Sequence, residues 1–336
     1  MSVISKEEQN KRELMARIKA LTSSDELITR VIERAGYSPP FAKVRITEGF
    51  SNEVYRVKTA SNQELIVRIH WYESPYFAPE AWALTQCETY GIQSPRFLYL
   101  EQNLPGDIPR SVCIETVLPG RTLHSLLKEK NYSPEDCRTV MREFGAALSS
   151  LHTIPTHGFG RIDGNGVAPK KSWEEIIYTK PDQQLLQAAK NVGIDPDTVS
   201  NASRLLIESL PMWENIQPHL LHGDISLNHI MVEGGHLSGL IDFEFPNSGD
   251  PAMDIAYWGC WDYFKGLSLP VEWIIEGYEM NSPIDSSFDF RVLACRLQLS
   301  LQLLNYHGIN DANSPMMVAY LQQRFQRDFQ LLKKQL

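Results

Sequence analysis

The sequence predicts an α+β protein of two lobes, in which a strand-rich first part precedes a helix-rich second part. Residues 43–70 contain three short β-prone segments, and residues 97–117 add two more around a turn at Asn103–Pro109. From Leu123 onward, apolar residues mostly recur every three or four positions, as in amphipathic helices. A length of 336 residues is sufficient for two such lobes.

The composition argues against several functional classes. A formal net charge of −9 disfavours general affinity for nucleic acid or for an anionic membrane. Five scattered cysteines fit a reducing compartment rather than a disulfide framework. The polar N-terminal residues do not resemble a signal peptide, and no apolar run reaches the roughly 18 residues of a membrane span. We therefore expect a cytoplasmic monomer or homodimer without nucleic-acid or membrane partners.

Helical spacing marks the first 40 residues as an N-terminal helical extension, in which Ser24 and Asp25 can start a second helix. Residues 41–117 form the predicted first lobe, a five-stranded antiparallel sheet with one main helix, Pro79–Tyr90. Residues 118–336 form the predicted second lobe. Its expected helices are Leu123–Lys130, Pro134–His152, 173–190, 196–215, Trp273–Met280, Phe290–Asn305 and Met316–Leu332.

The segment from Leu220 to Trp258 carries the strongest functional signal. Two apolar runs, Ile230–Val232 and Leu237–Ile241, flank the turn Glu233-Gly234-Gly235-His236, which is typical of a β-hairpin. A hairpin brings its outer ends together. We therefore expect Asp224, His229 and Asp242 to converge on one small volume.

These three side chains suit two kinds of chemistry. Asp242 and His229 can supply a carboxylate oxygen and an imidazole nitrogen to a divalent cation. Asp224 can accept a proton from a substrate hydroxyl while that oxygen attacks phosphorus. A single loop aspartate more often caps a helix or makes a turn, but three polar groups at one hairpin mouth favour a functional site.

The motif His222-Gly223-Asp224 with His229, followed by Ile241-Asp242-Phe243, resembles the aminoglycoside phosphotransferase and choline kinase group of small-molecule kinases. The resemblance covers roughly residues 43–260 and implies a bilobal, protein-kinase-like fold. It implies that Asp224 is the catalytic base, that Asp242 binds metal, and that Asp254 braces the catalytic loop. At position 229 this chain has His where the family usually has a metal-binding Asn, and imidazole is a softer ligand than an amide oxygen.

The same resemblance implies a nucleotide site in the first lobe. The segment Gly49–Val57 matches a nucleotide-covering loop, with Gly49, Ser51 and Asn52 near the phosphates. Arg68 takes the place of the kinase lysine that binds phosphates, and Glu80 is its expected partner. Main-chain groups of Glu115 and Val117, in the expected hinge between lobes, would bond the adenine edge.

An aromatic segment after Asp254 is open to two interpretations. Trp258 and Trp261 are either core residues of the second lobe or, with Asp262 and Glu244, part of an acceptor wall. His152, at the end of its helix, is interpreted as a core residue rather than a catalytic one.

We thus expect a kinase that moves the γ-phosphoryl group of ATP or GTP, with Mg²⁺, onto a hydroxyl of an aminoglycoside-like or other antibiotic or sugar acceptor. A macrolide or a choline- or homoserine-type alcohol is the alternative acceptor. A non-catalytic nucleotide-binding module is the alternative class, favoured by His229 and Arg68 and opposed by the presence of Asp224 and Asp242.

Overall fold

A computed structural model describes most of the chain in two compact units. The described residues are 23–39, 41–46, 52–70, 77–104, 110–129, 132–178, 180–260 and 267–336. The first unit draws on residues up to Ala81 and on Pro95–Val117, and the second on Trp82–Ser94 and Leu118–Leu336.

The first unit is built on an antiparallel sheet of five strands in the order β1-β2-β3-β5-β4, as the sequence predicts. The strands are β1 (Ala42–Ile46), β2 (Glu53–Lys58), β3 (Glu64–His70), β4 (Phe97–Leu104) and β5 (Arg110–Thr116). Helix α1 (Asp25–Arg34) packs on this sheet and begins at Ser24, whose side chain accepts the Leu27 N–H. The second helix start predicted at Ser24 and Asp25 is therefore confirmed.

Buried apolar residues of α1 and of the sheet form one core. Ile28, Val31 and Ile32 of the helix meet alternate residues of β2, β3 and β5. Because successive side chains of a strand point to opposite faces, this alternation buries one face under the helix. Helix α2 (Ala78–Thr89) begins in the first unit and continues into the second.

The second unit is mainly helical. Its helices among the described residues are α3 (Leu123–Lys128), α4 (Pro134–Leu151), α5 (Glu174–Ile177), α6 (Gln183–Asn191), α7 (Pro196–Ser209), α8 (Ala252–Tyr257), α9 (Val271–Glu279), α10 (Phe288–Asn310) and α11 (Pro315–Lys333). A 3₁₀ turn, Leu210–Trp213, follows α7. Helix α10 packs against α6, α7, α8 and α11, so it forms the centre of this helical layer.

Two small antiparallel sheets complete the second unit, with the orders β10-β9-β6 and β7-β11-β8. Their strands are β6 (Arg121–Thr122), β7 (Gly160–Arg161), β8 (His219–Leu221), β9 (Ile230–Glu233), β10 (His236–Leu240) and β11 (Asn247–Gly249). Strands β9 and β10 form the predicted hairpin. Gly234 and Gly235 occupy its two-residue turn with φ of 59° and 87°, the left-handed conformation that such a turn requires.

One predicted helix is wrong. Residues 173–190 do not form a continuous helix, because α5 ends at Ile177 and α6 begins at Gln183. Pro181 disfavours helical geometry in the residue before it, and the Asp182 carboxylate caps α6 by accepting the Leu185 N–H.

Helices α4 and α9 approach so closely that glycine is required on each. A Cβ atom at Gly145 would overlap the Ile274 carbonyl, and one at Gly277 would overlap the Arg142 carbonyl.

Gly145→Ala should therefore push the helices apart and lower the free energy of unfolding by about 1–3 kcal/mol, measured by urea denaturation. Ser150→Ala, at a partly exposed position of α4, is the control and should change stability by less than about 0.5 kcal/mol. Equal stability of the two variants would contradict this packing.

Candidate active site

The hairpin brings Asp224, His229 and Asp242 together, as predicted. His229 Nε2 lies 3.3 Å from Asp242 Oδ2, and His229 Nδ1 lies 4.0 Å from Asp224 Oδ2. The side chains of Asp224 and Asp242 are about one-third exposed, at 32% and 37%, whereas that of His229 is mostly buried. The two carboxylates are therefore accessible to a ligand, with the imidazole fixed between them.

A backbone contact sets the tautomer of His229. Its Nδ1 lies 2.5 Å from the Asp224 carbonyl oxygen, so Nδ1 carries the proton and donates it to that acceptor. In the neutral imidazole, Nε2 then presents a lone pair on the side of Asp242. The same hydrogen bond links Asp224, the expected base, to His229, an expected metal ligand.

The donor set of His229 and Asp242 fits a divalent cation. Imidazole Nε2 and carboxylate Oδ2 are close enough for one ion, with bonds of about 2.1 Å, to contact both. Within the described parts of the chain, no group of three or more His, Cys, Asp or Glu side chains is arranged to hold a metal. A two-ligand site fits Mg²⁺, which commonly keeps waters and substrate phosphates as its remaining ligands.

The Asp254 carboxylate, on α8, holds in place the loop of residues 222–229, the proposed catalytic loop. It is fully buried and accepts the N–H groups of His222 at 2.7 Å and Gly223 at 3.0 Å. It also bonds His152 Nε2 at 3.1 Å, while His152 Nδ1 meets the Tyr278 hydroxyl at 3.0 Å. Burial alone would raise the pKa of Asp254, but the hydrogen bonds that the carboxylate accepts from His152 and from the Gly223 N–H help to lower it overall. The predicted brace is confirmed, and His152 is a buried helix-end residue as expected.

His222 links the catalytic loop to the segment that carries Asp242. Its Nε2 donates to the Ile241 carbonyl at 3.0 Å, and its Nδ1 accepts the Asp224 N–H at 3.4 Å. Burial, and then the neighbouring His229, lower the pKa of His222. The imidazole therefore stays neutral, which is the form this pair of hydrogen bonds requires.

Two backbone conformations complete the loop geometry. Gly223 has φ of 80°, and a Cβ atom there would overlap the Phe245 carbonyl oxygen. Asp242 has φ of 67°, a left-handed conformation that costs a non-glycine residue free energy and often occurs at functional sites.

The first unit contains the second cluster of predicted site residues. Arg68 Nη1 donates to Glu80 Oε1 at 2.6 Å and to Glu115 Oε1 at 2.8 Å, with all three side chains buried. The expected Arg68–Glu80 pair is therefore present. The predicted role of Glu115 involved only its main chain, and its buried carboxylate is an additional partner of Arg68. In the sequence, the only feature that pointed to this contact was a glutamate within the mostly buried strand β5.

The other residues predicted to contact nucleotide are placed only in part. Asn52 lies just before β2, and its Oδ1 is 2.9 Å from His70 Nδ1. Val117 follows the end of β5 and is half-buried. Gly49 and Ser51 lie outside the described residues. Contacts of any of these four with nucleotide remain predictions.

The residues predicted to contact the acceptor are also described only in part by the structure. Trp258 is 6% exposed, packs against Phe144 and donates its Nε1–H to the Leu269 carbonyl at 3.0 Å, as a core residue does. Glu244 is half-buried, two residues after Asp242. Trp261 and Asp262 lie outside the described residues.

A cavity of about 100 Å³ adjoins the catalytic loop at Leu221 and Gly223. Polar and aromatic residues from four other segments contribute to its wall: Trp173, Asn247, Ser248, Tyr257, Gln298 and Gln302. A second cavity of about 160 Å³ shares Tyr257, Leu299 and Gln302 with the first. The space beside the catalytic loop therefore offers amide, hydroxyl and aromatic groups.

A family model described as the phosphotransferase enzyme family matches residues 44–281, which is more than half of the chain. The chain belongs to this family. The resemblance found in the sequence is thereby confirmed, and the protein is a phosphotransferase with a hydroxyl group as acceptor.

Two relatives of this phosphotransferase are kinases named for different acceptors. A homoserine kinase of Gluconacetobacter diazotrophicus is 25% identical over 254 residues, covering 71% of this chain and 72% of the relative. A hygromycin-B 4-O-kinase of Escherichia coli is 24% identical over 121 residues, covering 34% of this chain and 35% of the relative.

Solved structures show the same fold. Aminoglycoside phosphotransferase APH(4)-Ia matches with a TM-score of 0.69 at 16% identity, covering 92% of this chain and 99% of that one. A thermostable mutant of that enzyme, in a ternary complex with ADP and hygromycin B, matches with a TM-score of 0.67 at 18% identity, over 92% and 98% of the two chains. Macrolide 2'-phosphotransferase MphH from Brachybacterium faecium matches with a TM-score of 0.55 at 15% identity, over 88% and 98%. The predicted α+β, protein-kinase-like fold is confirmed.

Among the helices that the structure describes, none combines the length and the apolarity needed to cross a bilayer.

The bracing role of Asp254 can be tested by measuring both stability and turnover. Asp254→Asn removes the charge that three donors share and should lower the free energy of unfolding by about 2–3 kcal/mol. The catalytic-centre turnover should fall by about 10²-fold because a shift of about 1 Å at Asp224 is that costly, while the KM for nucleotide changes little. Since folding lowers the pKa of Asp254, the stability difference should be full above about pH 4 and shrink as the pH falls further.

Urea denaturation across pH and steady-state kinetics measure these two effects. Asp289→Asn, at an exposed position in the first turn of α10, is the matched control; it should leave turnover unchanged and lower the free energy of unfolding by no more than about 1 kcal/mol, the effect of a charge near a helix N-terminus. Wild-type stability together with wild-type turnover in Asp254→Asn would contradict the bracing role.

Proposed function

We propose that this phosphotransferase moves the γ-phosphoryl group of ATP or GTP to a hydroxyl of a small molecule, with Asp224 as the base. The observation that carries the proposal is the convergence of Asp224, His229 and Asp242 on a loop held by Asp254. The solved relative that binds ADP and hygromycin B together supports the use of a nucleotide and a small acceptor.

Asp224 acts on the acceptor. Its carboxylate orients the acceptor hydroxyl and takes its proton as that oxygen bonds to the γ-phosphorus. The bond between the γ-phosphorus and its bridging oxygen breaks, and the nucleoside diphosphate leaves. Partial exposure of the Asp224 side chain leaves it accessible to the hydroxyl, while the hydrogen bonds of the loop backbone keep it oriented.

His229 Nε2 and Asp242 Oδ2 would hold Mg²⁺. When bound, this ion offsets negative charge on the nucleotide phosphates. His229 keeps its lone pair directed at the site through the bond from its Nδ1–H to the Asp224 carbonyl. Arg68, fixed by Glu80 and Glu115, is the proposed phosphate-binding residue of the first unit.

An aminoglycoside-like or other amino-sugar alcohol is the proposed acceptor, in line with the hygromycin-kinase relatives. The described residues lining the cavity beside Gly223 include no carboxylate. The ammonium groups of such an acceptor would therefore use Glu244 or Asp262, as the sequence analysis proposed. A homoserine-type alcohol is the second candidate, because the homoserine kinase matches 71% of the chain.

Substitution of the proposed base gives the direct test. Asp224→Asn keeps the size of the side chain but removes its basicity, so turnover should fall by about 10²–10⁴-fold while nucleotide affinity stays near that of the wild type. Transfer of labelled γ-phosphate to a panel of aminoglycosides, homoserine, macrolides and choline measures the turnover and names the acceptor class. Asp289→Asn removes a carboxylate from an exposed position and should retain full activity.

Retention of more than a tenth of the activity in Asp224→Asn would exclude Asp224 as the base. Nucleotide binding by the wild-type protein with no turnover across the whole panel would favour a binding module instead.

A further inference from the structure

A third, larger cavity lies in the helical unit, beyond the residues assigned to phosphoryl transfer. It has a volume of about 580 Å³ and lies among the end of α8, the start of α9, and helices α10 and α11. Six of its lining residues define what we call the arginine cavity: Trp258, Glu272, Arg296, Tyr320, Arg324 and Arg327. Asp224, His229 and Asp242 are not among the residues that line it.

Arg324 is buried in the wall of this cavity with part of its guanidinium unsatisfied. Its side chain is 4% exposed; Nε donates to Ser300 Oγ at 3.1 Å, and Nη1 to Tyr320 Oη at 3.3 Å. Nη2 is buried and finds no hydrogen-bond partner among the residues that the structure describes. An unmet N–H donor on a buried charged group is costly, which favours an acceptor supplied by a ligand.

Arg296 is the second guanidinium in the wall of the cavity. Across the described parts of the chain, its side chain has no hydrogen bond and no ion pair. Burial lowers the pKa of Arg296, and the positive charges of Arg327 and Arg324 lower it further, against the opposing effect of Asp328. Three like charges are therefore held close to one another around the cavity.

The nearby carboxylates do not balance these charges. Asp328 is buried and is shared by Arg327 Nε at 2.8 Å, Ser300 Oγ at 2.6 Å and Arg324 Nε at 3.6 Å. Glu272 is the carboxylate among the described lining residues, and it is exposed to solvent. Among the described residues around the cavity, two carboxylates thus oppose three guanidiniums.

We propose that the arginine cavity binds a small molecule through a carboxylate or phosphate group held by Arg296 and Arg324. A guanidinium presents paired N–H donors that match either oxyanion, and the pairing is stronger where water is excluded. The volume lies within the range of small-molecule sites. The proposal does not rest on the phosphoryl-transfer chemistry, because the two sites share none of the residues assigned to that reaction.

Anion binding to the full-length protein tests this inference. Sodium malonate and sodium phosphate are titrated calorimetrically at ionic strength held constant with NaCl, and the thermal midpoint is followed in parallel. The wild-type protein should bind one of these anions, or both, saturably and with a rise in thermal midpoint. The tighter of the two probes identifies the head group.

Arg296→Gln should weaken that binding by at least about tenfold, because one charge-assisted contact is lost. Without anion its thermal midpoint should equal or exceed that of the wild type, since the change relieves repulsion. Arg296→Lys keeps the charge but loses the planar pair of donors, and it should bind with intermediate affinity. Arg204→Gln, at an exposed position on α7, removes the same charge elsewhere and should bind as the wild type does.

Absence of saturable binding of both anions to the wild-type protein would overturn the proposal. Equal affinity in the wild type and Arg296→Gln would also overturn it, as would equal weakening by Arg204→Gln, which would indicate a general charge effect.

Discussion

The buried Asp254 carboxylate is the constraint on which the proposed site depends. It receives two consecutive backbone N–H groups of the catalytic loop and one imidazole N–H from the end of α4. Backbone donors of a loop that turns away from regular structure must be satisfied, and a charged acceptor satisfies them strongly. These hydrogen bonds hold Gly223 in its positive-φ conformation, so that Asp224 projects from a fixed backbone.

Hydrogen bonds also link the backbone of Asp224 to His229 and to the segment that carries Asp242. His222 bonds both the Asp224 N–H and the Ile241 carbonyl, while His229 bonds the Asp224 carbonyl. The hairpin is held from outside by Glu143, which accepts the Leu237 N–H and bonds His236. The proposed proton acceptor and the proposed cation ligands are thus positioned by one continuous network, which is the preorganisation that phosphoryl transfer needs.

Local patterns in the sequence were enough to predict the hairpin and the meeting of Asp224, His229 and Asp242, because a glycine turn brings a hairpin's ends together. The five-stranded sheet and the Ser24 cap were also predictable from local patterns, namely short β-prone segments and a helix-capping side chain. Three features depend on contacts between distant segments and left little local signal: the Glu115 carboxylate on Arg68, the overlap that requires Gly145, and the grouping of Arg296 with Arg324 and Arg327. The break at Pro181 had a local signal, but the helical period on either side masked it.

The most direct measurement of the central claim is electron spin-echo spectroscopy of Mn²⁺ bound with a non-hydrolysable ATP analogue to protein that carries ¹⁵N-histidine. If His229 and Asp242 hold the cation beside Asp224, the spectrum should show coupling to one imidazole nitrogen, and this coupling should vanish in His229→Asn while the metal stays bound. A wild-type complex without imidazole coupling, or coupling that survives in His229→Asn, would contradict the account.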